Sequence, residues 1–125
     1  MPTRKQRILC VCRGGNVRSV HLAYLLKYRY GFDALAAGFE GNTPATLRYL
    51  CEWAELIIIV QPYMQSAIPK CFHAKLALYD VGEDRWMALN VELLDLFDGM
   101  IKQAMRDQIR RTTNKERRAC RRRSA

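Results

Sequence analysis

The residues best suited to chemistry lie in one short stretch, Cys12-Arg13-Gly14-Gly15-Asn16-Val17-Arg18-Ser19. A thiol stands at its start, and an arginine follows whose planar guanidinium can bind two oxygens of an anion at once. Two glycines and an asparagine lie between the cysteine and the arginine, and they accept the backbone angles of a tight loop. The successive N–H groups of such a loop can point inward. A thiol facing such donors is stabilised as the nucleophilic thiolate. We therefore predict an oxyanion-binding loop with Cys12 as nucleophile and Arg18 as clamp.

The pattern on either side places this loop between a strand and a helix. Arg7–Cys12 is an apolar run rich in strand-forming residues. From Ser19 to about Tyr30 the chain has the wide apolar surface of a helix, which Gly31 ends. The N-terminus of that helix adds partial positive charge to the amides of the loop. Because a cysteine and an arginine at this spacing also arise by chance, the setting between a strand and a helix is what favours anion binding.

Strands and helices alternate along the rest of the chain. The predicted segments are a strand at 34–37, a helix that begins at Thr43-Pro44, a strand at 56–60, a short helix at 62–68, a strand at 75–79 and an amphipathic helix at about 89–110. Such alternation favours a single-domain α/β fold with a parallel sheet and helices on both faces. Ligands in these folds bind at the carboxyl ends of the strands, where the loop after the first strand lies.

Length and composition restrict the class of protein. A chain of 125 residues, half of them hydrophobic, suits one domain with one core. No apolar stretch is long enough for a membrane span, and no signal peptide is visible before the first strand. Five cysteines without disulfide-like spacing indicate a reducing compartment, so we predict a cytoplasmic protein. The two histidines are isolated and no Cys-x-x-Cys pair occurs, so we predict no metal and no cofactor.

The positive charge is concentrated at the C-terminus. Eight Lys or Arg and one Glu between Arg110 and Ala125 supply +7 of the net charge of +9. The sequence therefore predicts a folded domain at residues 1–111 and a basic, disordered tail at residues 112–125. Such a tail can contact nucleic acid non-specifically through phosphates.

The loop resembles that of the low-molecular-weight protein tyrosine phosphatase superfamily, including its small members. The family pattern is approximately Cys-x-Gly-Asn-x-x-Arg-Ser-Pro after the first strand, and Ala36-Ala-Gly38 and Trp53–Ile57 are similar to two further family segments. The resemblance covers about residues 6–108. It implies a three-layer fold with a four-stranded parallel sheet in the order 2-1-3-4. It also implies metal-independent hydrolysis of a phosphomonoester, chiefly phosphotyrosine, through a phosphocysteine.

The same resemblance implies roles for the residues of the loop. Cys12 attacks phosphorus, Arg18 and the loop amides hold the phosphate, and Ser19 donates a hydrogen bond to the thiolate. The predicted phosphate-binding residues are Arg13, Gly14, Gly15, Asn16, Val17, Arg18 and Ser19.

Three positions depart from the family pattern. Asn16 stands one place later than the family asparagine, and Gly15 stands where the family has that asparagine. Val20 replaces the proline after the serine, and Arg13 replaces an apolar residue and would add a positive group at the mouth. Glycine reaches the left-handed conformation that asparagine also adopts, so we expect the loop to form. The departures bear on efficiency and substrate preference.

Phosphoester cleavage also needs an acid to protonate the leaving oxygen. In the family an aspartate of an Asp-Pro-Tyr segment after the fourth strand has this role. Here Asp84-Arg-Trp86 reproduces Asp-x-aromatic, and Asn90–Leu93 is similar to the segment that opens the last helix in small members. We therefore predict Asp84 as general acid and Trp86 as an aromatic wall for the substrate ring. Glu83 and Asp80 are the alternatives for the acid.

Other functions use similar features. An arsenate reductase combines such a loop with further thiols close to the nucleophile, for which Cys71 is the candidate here. A phosphate- or phosphopeptide-binding module would keep the loop without turnover. Nucleic-acid binding through the basic tail would depend steeply on salt.

Overall fold

The structure is a computed structural model that describes residues 5–15, 17–82 and 90–124, with side chains through residue 108. The strands are β1 (Arg7–Cys12), β2 (Asp33–Gly38), β3 (Leu56–Ile59) and β4 (Leu76–Leu78), and the α-helices are α1 (Arg18–Tyr28), α2 (Pro44–Trp53) and α3 (Val91–Ser124). Two 3-10 helices, Pro62–Ala67 and Lys70–Lys75, connect β3 to β4. The second of these has no counterpart among the elements predicted from sequence.

All four strands run parallel in one sheet with the order β2-β1-β3-β4. This confirms the predicted fold class and strand order. The connection from β1 to β2 runs one way along the sheet, and the connection from β2 to β3 passes back over β1. Because such crossovers are right-handed, α1 and α2 lie on opposite faces. The connections therefore change direction along the sheet at the carboxyl end of β1, where Cys12 lies.

The core is centred on β1 and β3. Residues 8–12 of β1 and 57–59 of β3 are all buried, because both faces of the sheet are covered. From α3 a stripe formed by Leu93, Phe97 and Ile101 is buried at the four-residue spacing of one helix face. This stripe belongs to the same core, and α3 packs against α1. The sheet therefore gives the loop after β1 a rigid base.

Helix α2 begins where the sequence predicts. The Thr43 hydroxyl accepts a hydrogen bond from the Thr46 backbone N–H at 3.2 Å, and Pro44 takes the first helical position. The cap pairs one of the N–H groups that lack a partner within the first turn, and proline at the first helical position has no N–H to leave unpaired.

Helix α3 is longer than predicted. Its backbone is helical over 34 residues to Ser124, whereas the sequence pattern had predicted disorder from residue 112. After Gly99 the segment contains no glycine or proline and is rich in arginine, lysine and glutamine, which favour helix. The predicted domain boundary at residue 111 stays a prediction. Within the described ranges no helix has the length and apolar character needed to cross a membrane.

Candidate active site

Cys12 is the last residue of β1, and its thiol lies at the centre of the loop that follows. Only 3% of the residue is exposed. The backbone N–H of Gly15 donates to Cys12 Sγ at 3.1 Å, and the thiol donates to Ser19 Oγ at 3.1 Å. On ionisation the serine hydroxyl can turn and donate to the sulfur instead. Two donors, one from the loop and one from the first turn of α1, can therefore stabilise a thiolate here.

The loop is shaped by glycines on both of the segments that meet there. Gly15 has a φ of +75°, a conformation that side chains rarely adopt. A Cβ atom on Gly38 would lie 2.3 Å from the carbonyl carbon of Gly14, and one on Gly41 would lie 2.3 Å from the Gly14 oxygen. The segment after β2 therefore packs directly on the loop, which only glycine permits at these positions.

Backbone hydrogen bonds hold the two segments together. Phe39 N–H donates to the Cys12 carbonyl at 3.1 Å, and Glu40 N–H donates to the Arg13 carbonyl at 2.9 Å. The Glu40 carboxylate also accepts from Arg13 Nε at 2.7 Å, with both side chains more than half exposed. The positive charge that Arg13 was predicted to add at the mouth is therefore balanced by Glu40.

Arg18 is the first residue of α1 and is 1% exposed. Its Nη1 donates to Gln61 Oε1 at 2.5 Å and to the Gly82 carbonyl at 3.1 Å. Gln61 follows β3 and Gly82 follows β4, so the guanidinium is held by chain segments that leave two other strands. Both are neutral acceptors, and neither cancels the positive charge of Arg18.

Asp80 forms the turn that presents Gly82 to this arginine. Its carboxylate accepts from the Gly82 N–H at 2.9 Å, and Gly82 has a φ of +75°. Such a side-chain-to-backbone bond two residues on is typical of an Asx turn. In this arrangement Asp80 stabilises the loop that supports Arg18.

The start of α1 adds further donors. Val17 occupies the N-cap position, and its apolar side chain provides no capping hydrogen bond. The first N–H groups of a helix lack partners within the helix and carry partial positive charge. With Arg18 and the loop amide of Gly15, they form a site that can bind an oxyanion next to the Cys12 sulfur.

Cys10 differs from Cys12 although both belong to β1. It is fully buried, and burial, followed by the nearby charge of Cys12, raises the pKa of its thiol strongly. Cys10 therefore remains a neutral thiol in the core.

Several predicted site residues fall outside the described residues. These are Asn16 in the loop, and Glu83, Asp84 and Trp86 between β4 and α3. The assignments of Asp84 as general acid and Trp86 as aromatic wall therefore stay predictions. Among the residues that the structure does describe, no three His, Cys, Asp or Glu side chains are grouped as metal ligands would be.

The structure also reveals contacts that the sequence analysis missed. Gln61 and Gly82 orient Arg18, and Gly41 allows the segment after β2 to approach the loop. The available signal was position. Gln61 lies two residues after β3, the strand beside β1, and the carboxyl ends of neighbouring parallel strands lie at one edge of the sheet.

Two aromatic residues lie on the segments that support the loop. Phe39 and Tyr63 make an edge-to-face pair with ring centroids 6.0 Å apart. Phe39 binds the Cys12 carbonyl through its backbone, and Tyr63 lies two residues after Gln61. With 52% of Tyr63 exposed, this pair offers apolar surface near the anion loop.

Comparison with known proteins agrees with this architecture. No protein-family model and no curated protein sequence matches the chain. Among solved structures, Vibrio vulnificus Wzb in complex with benzylphosphonate matches with a TM-score of 0.57 and 16% identity, over 75% of this chain and 90% of that one. Wzb is a low-molecular-weight tyrosine phosphatase. The resemblance predicted from the loop is thus confirmed for the fold: this chain has the α/β fold of a low-molecular-weight tyrosine phosphatase.

Proposed function

We propose that this protein hydrolyses phosphomonoesters, with Cys12 as nucleophile and Arg18 as the phosphate-binding cation. The observation that carries the proposal is the environment of the Cys12 sulfur. It receives a hydrogen bond from the Gly15 amide and pairs with the Ser19 hydroxyl, and the buried Arg18 begins the adjoining helix. Thiolate stabilisation and oxyanion binding in one small loop are what cysteine-dependent phosphoryl transfer requires.

The proposed reaction has two steps. In the first, the Cys12 thiolate forms an S–P bond as the P–O bond to the leaving group breaks, and the leaving oxygen takes a proton from Asp84. In the second, a water oxygen bonds to phosphorus, its proton passes to the Asp84 carboxylate, and the S–P bond breaks to restore the thiolate. Arg18 and the loop amides stabilise the charge on the equatorial oxygens throughout. Ser19 stabilises the thiolate at the start and the end.

We propose an aryl phosphate, and phosphotyrosine in a protein above all, as the substrate class. The structural neighbour Wzb was solved with benzylphosphonate, a phosphonate that carries a benzyl group. In this chain Phe39 and Tyr63 supply aromatic surface near the loop. Cys10, Cys12, Cys51 and Cys71 are free thiols, which fits the proposed cytoplasmic location.

Hydrolysis of p-nitrophenyl phosphate tests the proposal. We expect turnover by the wild type, loss of turnover in Cys12→Ser, and a marked loss in Arg18→Lys, since lysine cannot bind two oxygens with one planar fork. Asp84→Asn tests the acid and should reduce turnover about a hundredfold or more. Acid quenching of the wild type during turnover should trap phosphate on Cys12.

Cys71→Ser is the matched control, because Cys71 is an exposed thiol on the 3-10 helix Lys70–Lys75. It should hydrolyse the substrate as the wild type does. Activity that depends on a reductant and is lost in Cys71→Ser would point to an arsenate reductase instead. An inert wild type that still binds vanadate would mark a phosphate-binding module.

A further inference from the structure

His21 makes two hydrogen bonds that determine which ring nitrogen carries its proton. It is 6% exposed, in the first turn of α1. Its Nε2 accepts from the backbone N–H of Asn90 at 2.9 Å, and its Nδ1 lies 2.6 Å from the Val17 carbonyl. Because an amide N–H can only donate, Nε2 must be unprotonated. The proton is then on Nδ1, which donates to Val17.

The two partners of the ring lie at important places in the fold. Val17 is the last loop residue before α1, and Asn90 is the residue before α3. The Asn90 side chain accepts from the Leu93 N–H at 3.0 Å, so Asn90 also caps α3. One imidazole therefore joins the end of the anion loop to the start of a helix 69 residues further along the chain.

A second hydrogen bond ties the same region to α1. Gly82, eight residues before Asn90, accepts from Arg18 at 3.1 Å. The chain that connects β4 to α3 is thus held at Gly82 by Arg18 and at Asn90 by His21. Both holding residues belong to the first turn of α1, so the connection is attached at each end to the element that forms the oxyanion site.

We propose that His21 is a positioning residue that couples the anion loop to the N-terminus of α3. The proposal rests on the proposed function, since the connection between Gly82 and Asn90 includes the predicted acid Asp84. His21 makes no described contact with Cys12 or Arg18 and acts through Val17 and Asn90. The ring is bonded to Val17 at the end of the loop and to Asn90 at the start of α3. An anion that binds at the loop therefore also stabilises the start of α3.

Two conservative variants separate the two hydrogen bonds of the ring. In His21→Asn the side-chain amide nitrogen takes the approximate place of Nδ1, so the bond to Val17 is kept and the acceptor for Asn90 is lost. In His21→Gln the side-chain oxygen reaches about as far as Nε2, so the acceptor for Asn90 is kept. His21→Leu removes both bonds.

The first measurement is amide hydrogen exchange at Asn90 with and without inorganic phosphate. Phosphate should slow exchange at Asn90 in the wild type and in His21→Gln, and should have no such effect in His21→Asn. Loss of the hydrogen bond should speed the exchange about tenfold. Equal protection of Asn90 in His21→Asn and the wild type would overturn the proposal. This readout does not need turnover. An inert wild type would overturn the phosphatase function, while hydrogen exchange at Asn90 would still decide whether His21 couples the loop to α3.

Kinetics give a second readout. With p-nitrophenyl phosphate we expect kcat to fall about tenfold in His21→Asn while KM changes little, and His21→Gln to recover most of the loss. A purely structural role would lower the yield of folded protein in both variants alike. If His21→Gln were as impaired in kcat as His21→Leu, the proposal would be wrong.

One test needs no substitution. The ¹⁵N spectrum of the wild-type imidazole reports which nitrogen carries the proton, and we expect the Nδ1–H tautomer of His21 at neutral pH. The Nε2–H tautomer would be incompatible with acceptance from Asn90 and would overturn the proposal.

Discussion

At the scale of single residues, the site depends on how the guanidinium of Arg18 is oriented. A long, flexible side chain loses conformational freedom when it is held in one position. Here that cost is offset by hydrogen bonds to Gln61 and Gly82, which hold Nη1 at the ends of two other strands. Both of these acceptors are neutral, whereas a carboxylate at either place would compete with phosphate for the guanidinium.

We therefore predict that Gln61→Leu weakens phosphate binding about tenfold, since a hydrogen bond to a charged group typically contributes about 1.5–3 kcal/mol. Gln61→Glu should weaken it as well, because the new carboxylate pairs with Arg18 and repels the phosphate dianion. Calorimetric titration with inorganic phosphate measures both effects.

Gln65→Leu is the control, because Gln65 is an exposed glutamine on the 3-10 helix Pro62–Ala67, which begins directly after Gln61. It should bind phosphate as the wild type does. Unchanged affinity in Gln61→Leu would show that Arg18 reaches its position without this contact.

At the scale of elements, the loop after β1 is held between its own helix and the segment after β2. Gly38 and Gly41 allow that segment to lie against Gly14, and backbone hydrogen bonds from Phe39 and Glu40 join it to the loop. A loop that presents amides to an anion needs such support, because its N–H groups must keep their direction when the site is empty.

The glycines provide a matched pair of substitutions. Gly15 and Gly31 have nearly the same φ, +75° and +76°, but a Cβ atom on Gly15 would lie 2.7 Å from the Gly38 nitrogen, while one on Gly31 meets nothing within 4 Å. Gly31→Ala should therefore cost only the backbone strain, about 1–2 kcal/mol. Gly15→Ala should cost more stability and also weaken phosphate binding at least tenfold.

Urea unfolding and phosphate titration of both variants check this prediction. If Gly15→Ala were no less stable than Gly31→Ala and still bound phosphate normally, the close packing of the loop against Gly38 would not matter for its shape.

At the scale of the whole molecule, α1 and α3 are joined by a charged cluster at the far end of α1. Asp98 of α3 accepts a hydrogen bond from the Tyr30 hydroxyl and pairs with Arg29 at 3.1 Å and Lys102 at 3.2 Å. The hydrogen bond from Tyr30, helped by Lys102 and Arg29, lowers the pKa of Asp98 although partial burial opposes this. Burial and the bond to Asp98 raise the pKa of Tyr30.

These shifts predict how stability depends on pH. A carboxyl group with a lowered pKa in the folded state stabilises the protein above its unfolded pKa of about 3.9, and the contribution is lost as the pH falls through the folded value. For Tyr30 the contribution is present below about pH 10 and is lost as the pH rises through its raised pKa. Asp98→Asn should thus be less stable than the wild type at pH 7, and the difference should shrink as the pH falls below 4.

Asp95→Asn is the control, because Asp95 lies exposed on the same helix, three residues before Asp98. Denaturant unfolding at pH 7 and at pH 3 measures both variants. A constant difference between Asp98→Asn and the wild type at the two pH values would contradict the prediction.

Helix α3 also includes the basic residues near the C-terminus. Residues predicted to be a disordered basic tail have helical backbone through Ser124, and they carry most of the net charge. The contact with nucleic acid stays a prediction, now for a basic helical segment.

The loop after β1 and the alternation of strands and helices along the chain could both be predicted from the sequence. These features are local: a thiol and an arginine six positions apart, glycines between them, and apolar periodicity on either side. Even the start of α2 at Thr43-Pro44 could be predicted, because the cap and its partner are three residues apart. Local signals were weaker in the last helix, where charge density indicated disorder and helix propensity indicated the opposite.

The contacts around the loop follow from the packing of segments that are far apart in the sequence. Gln61 is 43 residues from Arg18, and Asn90 is 69 residues from His21. No pattern within a window of sequence identifies such partners, because they meet only once the parallel strands have aligned their carboxyl ends and α3 has packed on α1. The residue types needed for the chemistry are thus readable from the sequence, whereas the contacts that hold them in position arise from the packing of distant segments.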